Sequence, residues 1–199
     1  MSRPKTLLEM AGADLSPGAL AQSVVIIIDA QNEYLDGKLA LPGIKPALDA
    51  ISTLLAKARD AGTPVIHIAH KGRPGGLFDR EGHGGAIIAA AAPATGEPVI
   101  EKPLPNAFAQ TALDSELKAL GRKSLIMAGF MTHMCVSSTA RAALDLGYRV
   151  TIAGDAAATR DLPDPFGGVV PADALHRAAL AELGDRFAII ATVDQIPKD

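Results

Sequence analysis

Three residues of this chain stand where nucleophilic chemistry would need them. Asp29 closes the apolar run VVIIID, Lys102 closes PVIEK, and Cys135, the single cysteine, follows SLIMAGF within GFMTHMCVSSTAR. A carboxylate, an ammonium and a thiol can together carry acyl transfer if the fold gathers them. Each also has an ordinary alternative. Asp29 suits a cap or turn after a strand. Most lysines are solvated, and a free cysteine is commonly a small buried hydrophobe.

Context strengthens the chemical reading. A carboxylate at the mouth of an apolar strand is partly desolvated, which raises its proton affinity and fits a general base. Lys102 precedes PLPNAF, whose two prolines stiffen the exit and hold the ammonium near the strand end. Cys135 lies between a strand and a helix start. A helix N-terminus stabilises a thiolate, a nearby Lys or His⁺ adds to this, and the free N–H groups can form an oxyanion hole. VVIIIDAQNEY carries neither a G-x-G-x-x-G nor a G-x-x-x-x-G-K-[ST] pattern, so a nucleotide site after this strand is not expected.

The histidines do not make a metal pattern. His67 and His70 are three apart along a strand, so they point to opposite faces. His83 has no carboxylate at a tight ligand spacing, and His176 falls within a helical pattern. No metal and no cofactor is expected.

The elements that must position these groups read clearly. Five β-branched apolar runs occur at 24–29, 64–70, 124–130, 149–155 and 186–192, with a weaker one at 98–102. Their continuous apolarity is that of parallel strands covered on both faces. Helical patterns alternate with them: 44–62, with Ile44, Leu48, Ile51, Leu55 and Ala58 on one face and Gly62 as C-cap, then 115–121, 136–148 and 172–184. The expected fold is therefore an α/β doubly wound parallel sheet in a single domain over 1–199, with helices on both faces. Ligands bind such sheets beyond the carboxyl ends of the strands. Two long loops, 70–85 and 161–171, are candidates for binding or lid segments.

The bulk properties agree with one soluble domain. A chain of 199 residues can bury a sizeable core. A net charge of −3 with interspersed signs argues against nucleic acid and anionic membrane as partners. One cysteine forms no intramolecular disulfide, which fits a reducing, cytoplasmic location. The first residues, MSRPKTLLEMAGADL, lack the apolar core of a signal peptide, and runs such as AIIAAAA are too short to cross a bilayer.

The stretches IIIDAQNEY (26–34), VIEKPLPNAF (99–108), AGFMTHMCVSSTARAALDLGY (128–148) and DAAATRDLP (155–163) resemble the isochorismatase-like cysteine hydrolases. That superfamily includes nicotinamidase, N-carbamoylsarcosine amidohydrolase and ureidoacrylate amidohydrolase. The match in order and spacing runs from about residue 23 to 192. The resemblance implies a catalytic triad of Asp29, Lys102 and Cys135 on a six-stranded sheet of order 3-2-1-4-5-6. It implies a cis peptide at Phe130–Met131 and an oxyanion hole from the backbone N–H groups of Met131 and Cys135. It implies a Cys135 thioester, with Asp29 as general base and acid and Lys102 as electrostatic stabiliser.

Two departures refine the substrate. The stretch after PVIHIAH lacks the Asp-x-His of nicotinamidases, so the resemblance points to a metal-independent enzyme. True isochorismatases lack the nucleophilic cysteine, so Cys135 favours a C–N bond: amide, carbamoyl or lactam. Tyr34, Phe108, Phe130 and His133 are the candidate substrate-binding residues, with 70–85 as lid, and their mostly apolar character suggests a small, weakly charged molecule. A homo-oligomer, dimer or tetramer, is expected. The competing readings are a hydrolase of a non-amide bond and a catalytically idle binding or assembly protein on the same fold.

Overall fold

The continuous apolarity of VVIII has a simple structural origin: successive side chains enter two separate cores. In the computed structural model, which describes residues 3–199, strand β1 (Ser23–Ile28) is buried throughout. Val25 and Ile27 pack in one cluster, and Val24, Ile26 and Ile28 in the other. This is the period-2 alternation of a strand whose faces are both covered.

A helical turn, α1 (Leu7–Met10), precedes β1. Helix α2 (Ile44–Asp60) covers one face of the sheet, burying the predicted stripe of Ile44, Leu48, Ile51, Leu55 and Ala58. Gly62 follows it in the left-handed region at φ 63°, where Thr63 N–H bonds back to Ala58 O at 2.8 Å and closes the helix. The opposite face is covered by α3 (Leu113–Leu120), α4 (Ser137–Asp145) and α5 (Ala172–Arg186), through Leu113, Leu117, Ala140, Ala143 and Leu183.

The sheet joins β1 to β2 (Val65–His70), β3 (Val99–Lys102), β4 (Ser124–Phe130), β5 (Arg149–Ala158) and β8 (Ile189–Ala191). The strands are parallel, in the order β3-β2-β1-β4-β5-β8. This is the expected order with β8 as the sixth member. The intervening β6 (Leu162–Pro163) and β7 (Val169–Val170) form a separate antiparallel ribbon within the 161–171 stretch.

Several boundaries differ from expectation, among them the 136–148 helix, which ends at Asp145. The last strand is short because α5 does not stop at Gly184 but continues to Arg186. A side chain at Gly184 would meet Ile190 Cγ1 at 3.1 Å, so this glycine serves helix–strand packing rather than termination. Strand β5 runs on to Ala158, after a register shift opposite Met127 and Gly129 that pairs Phe130 with Ala158. No helix among the described residues is long and apolar enough to cross a membrane.

Strand order reverses between β1 and β4, and Gly129 sits at that seam. Its φ is 117°, and a Cβ there would lie 2.0 Å from Ile28 O. The bare backbone lets the end of β4 press against the end of β1. The residues that follow each strand, Asp29 on one side and Met131 to Cys135 on the other, thereby leave the sheet side by side.

Candidate active site

Asp29 follows β1 in the left-handed region at φ 50°, a conformation uncommon outside glycine but best tolerated by Asp and Asn. Its side chain is fully buried. Lys102, last residue of β3, is also fully buried and is paired in register with His70 of β2. Its ammonium lies 2.7 Å from Asp29 Oδ2, 3.2 Å from Cys135 Sγ and 3.4 Å from His70 Nδ1. The ammonium donates to the sulfur and to the imidazole nitrogen. The contact with Asp29 is an ion pair by distance. Neither carboxylate oxygen has a partner in hydrogen-bond geometry among the described residues, which leaves acceptor capacity beside the thiol.

Cys135 is 5% exposed. It sits between β4 and α4, as the sequence suggests, in a π-helical turn, Thr132–Val136. Such turns are rare and concentrate at functional sites. The peptide between Phe130 and Met131 is cis. Met131 O accepts the N–H groups of Met134 (3.0 Å) and Val136 (3.3 Å), which anchors the turn.

The charge states correct one expectation. A helix N-terminus beside a lysine would favour a thiolate, yet the Cys135 thiol is pushed up to about 12. Burial is the largest cause and the Asp29 charge the next; Lys102 opposes both and is outweighed. Asp29 is itself raised, by desolvation first, against the stabilising charge of Lys102. His70 is lowered to about 4 by burial and then by Lys102, so it is neutral and its Nδ1 can accept from the ammonium. The resting site therefore holds a protonated thiol beside the 2.7 Å contact of Lys102 with Asp29.

The wall above this set is aromatic. The ring of Tyr34 lies 5.9 Å from Phe130 and 5.0 Å from Phe78, and Phe78 lies 5.3 Å from His70. Phe130 is fully buried and supports the wall from behind. His133 meets Thr159 Oγ1 through Nδ1, and Thr132 Oγ1 meets His176 Nδ1 at 2.9 Å. The ring of Phe108 stacks on Tyr148 at 5.9 Å, packed against the cluster that contains Cys135. Of the residues proposed from the sequence, Tyr34 and Phe130 meet in this wall, His133 contacts Thr159, and Phe108 packs against the cluster that contains Cys135.

Several contributors were not singled out as site residues from the sequence. Phe78 lies in the 70–85 loop, the candidate lid, and at 7% exposed it packs on Tyr34 and His70. Gln31 fastens that loop: its Nε2 donates to His70 O (3.0 Å) and Gly85 O (2.8 Å), and its Oε1 accepts His70 N–H (2.8 Å). His67 and His70 do point to opposite faces, with His67 held by Glu97 at 3.0 Å. Among the described residues no three His, Cys, Asp or Glu side chains converge as a metal site.

Comparison with known proteins agrees with this fold. A family model described as the isochorismatase domain matches residues 23–195. The secreted isochorismatase effector Isc1 of Verticillium dahliae is 37% identical over 188 residues, 94% of this chain and 96% of the effector. A streptothricin hydrolase of Streptomyces noursei is 35% identical over 175 residues, 87% of this chain and 63% of the hydrolase. The crystal structure of an isochorismatase from Pseudomonas putida KT2440 superposes with a TM-score of 0.94 at 45% identity, covering 98% of this chain and 100% of that one.

Proposed function

The chain belongs to the isochorismatase family, and on that premise we propose that it is a cysteine hydrolase that cleaves a C–N bond of a small molecule without a metal. One observation carries the reading: a buried ammonium, that of Lys102, touches both the Asp29 carboxylate and the Cys135 sulfur. A structural cysteine has no need of that arrangement, which places a base and a stabilising charge beside a nucleophile. The relatives named maleamate amidohydrolase, nicotinamidase and ureidoacrylate amidohydrolase support the choice of an amide-type bond.

In the proposed reaction the resting thiol is neutral. Asp29 takes the Cys135 proton as Sγ attacks the carbonyl carbon, so no free thiolate accumulates. The N–H groups of Met131 and Cys135 receive the developing oxyanion. The C–N bond breaks as protonated Asp29 passes its proton to the leaving nitrogen, giving a Cys135 thioester. Asp29 then takes a proton from water, the resulting hydroxide displaces the thiolate, and the sulfur recovers the proton. Lys102 stays charged throughout and lowers the cost of each anion.

The test is acid-quenched intact-mass spectrometry with a panel of small amides, carbamoyl compounds and lactams, with esters and vinyl ethers for comparison. The expected result is an acyl adduct on Cys135 and amine or ammonia release, both lost in Cys135→Ala. Undiminished turnover by Cys135→Ala, or turnover confined to the non-amide compounds, would overturn the reading. The same proposal takes the protein to be a cytoplasmic homo-oligomer, dimer or tetramer, which cell fractionation and sedimentation measure.

A further inference from the structure

Consecutive residues tie the π-helical turn to two neighbouring elements. Thr132, which opens the turn, is fully buried, and its Oγ1 meets His176 Nδ1 of α5 at 2.9 Å. His133, the next residue, meets the Thr159 hydroxyl just beyond β5. The helical pattern around His176 gives that residue no evident task, but the packing supplies one. His176, Ala179 and Leu183 fall at i, i+3 and i+7, on the face of α5 that is pressed to the sheet. Two glycines allow the close approach: a Cβ at Gly154 of β5 would lie 3.0 Å from Leu180 Cδ1, and one at Gly184 would lie 3.1 Å from Ile190 Cγ1. Because α5 links the parallel strands β5 and β8, it starts at the carboxyl edge of the sheet. His176, in its second turn, therefore stands beside the turn that follows β4.

The contact is made for permanence. The His176 ring is half-buried, and burial lowers its proton affinity against a hydrogen bond to the Gly154 backbone. A neutral imidazole has one donor and one acceptor nitrogen, and a threonine hydroxyl can meet either, so the pair holds in both tautomers. Without the ring a buried hydroxyl would be left unpaired, which is costly. Thr132 directly follows Met131, whose carbonyl accepts the N–H groups of Met134 and Val136. The Met131–Thr132 peptide is thus held from two sides, by its carbonyl within the turn and by the Thr132 side chain to α5.

We infer that His176 is a positioning residue for the reaction: by holding Thr132 it keeps the N–H groups of Met131 and Cys135 aimed at the developing oxyanion. It acts through Thr132 and not on the substrate. The inference rests on the proposed hydrolase reading for the place of that oxyanion. A cavity of about 240 Å³ borders the ring, lined also by Pro42, Gly43, Ala157, Thr159 and Asp173. A small solute can therefore reach the space that an alanine at 176 would open.

The experiment compares the wild type with His176→Ala, His176→Asn, Thr132→Val and the double variant Thr132→Val/His176→Ala, each checked for folding by circular dichroism. With the small amide that the wild type turns over best, His176→Ala should lower kcat by about 30-fold and change KM by less than about 3-fold. His176→Asn places an amide where Nδ1 stood and should recover all but about 3-fold of the loss. Imidazole should rescue His176→Ala saturably and leave the wild type unchanged. The double variant should be no slower than the slower single one, since both substitutions break one contact. A His176→Ala kcat within about 2-fold of the wild type, or losses that multiply in the double variant, would overturn the inference. A second readout needs no turnover: isobutyraldehyde, isotope-labelled at its carbonyl carbon and followed by carbon NMR. Its carbonyl carbon bonds to Cys135 Sγ as the thiol proton passes to the carbonyl oxygen, giving a hemithioacetal whose oxygen occupies the same hole. Its dissociation constant should rise about 10-fold in His176→Ala and return toward the wild-type value in His176→Asn. That pattern in a protein that hydrolyses no amide would sustain the role of His176 and defeat the hydrolase reading. Equal aldehyde affinity in the wild type and His176→Ala, with amide hydrolysis intact, would defeat the positioning role alone.

Discussion

Asp29 and Lys102 face each other at 2.7 Å with neither side chain exposed to solvent. A buried pair of this kind contributes little net stability, but removing one member strands the other. Lys102→Met is expected to destabilise the fold by about 3–5 kcal/mol, because Asp29 would remain in a dry site with no cation. The double variant Asp29→Asn/Lys102→Met should recover most of that loss and none of the activity. Urea denaturation beside an activity assay reads both. A double variant as unstable as the single one would mean that the pair is required for folding.

The thiol gives a pH prediction opposite to that for an ordinary activated cysteine. Since Cys135 is pushed up to about 12 by burial and by Asp29, the difference in thiolate absorbance between wild type and Cys135→Ser should be flat from about pH 6 to pH 9. Iodoacetamide should label the resting enzyme slowly, because alkylation needs the thiolate. The acid side of the rate profile belongs to the Asp29 pair. Activity requires Asp29 ionised, its proton affinity is raised, and protonation removes the base. The acid limb should thus fall at a higher pH than for an exposed aspartate, with no alkaline limb from Cys135 below about pH 11. A strong thiolate signal near neutral pH would contradict this charge assignment.

The same residue shows what the sequence discloses and what it withholds. That Asp29, Lys102 and Cys135 each terminate an apolar run is visible in one dimension, and parallel strands bring such termini to one edge. Both covered faces follow from that regularity, whereas the sheet order came with the family resemblance. The direction of the Cys135 shift does not, because a helix start is a local pattern and desolvation depends on distant chain. Phe78 and Gln31 were hidden for the same reason: one lies in a glycine-rich loop and the other directs its amide to residues 39 and 54 positions away. The stacking of Phe108 on Tyr148 was equally invisible in the sequence, since the two are 40 positions apart.

Gly129 should be intolerant of any side chain. Gly129→Ala puts a Cβ 2.0 Å from Ile28 O at a φ of 117°, and the obstacle is backbone that cannot swing aside. The expected cost is more than about 3 kcal/mol, read by chemical denaturation, with activity lost beyond the stability loss because β1 and β4 separate at the seam that joins Asp29 to Cys135. Gly62→Ala makes the control. It is also a positive-φ glycine, but a Cβ there meets nothing within 4 Å, so its cost should be about 1 kcal/mol and its activity should persist. Similar losses in both variants would mean that backbone conformation alone, and not the strand seam, sets the requirement.

Gln31 holds the loop that seals the aromatic wall, and its removal should loosen that loop before it unfolds the protein. Gln31→Ala deprives His70 N–H, His70 O and Gly85 O of their shared side-chain partner. The expected cost is about 2 kcal/mol, with protease cleavage and amide exchange accelerated between residues 71 and 84 and little changed in α2 or β4. Gln31→Glu retains the acceptor for His70 N–H and loses both donors, so it should fall between wild type and Gln31→Ala. The wall depends on this clasp, because Phe78 reaches Tyr34 and His70 from the loop it closes. KM should therefore rise in the order wild type, Gln31→Glu, Gln31→Ala, while acylation of Cys135 at saturating substrate changes by less than about 3-fold. Equal exchange rates in all three proteins would show that the loop is held by Phe78 packing alone and that Gln31 serves only to end β2.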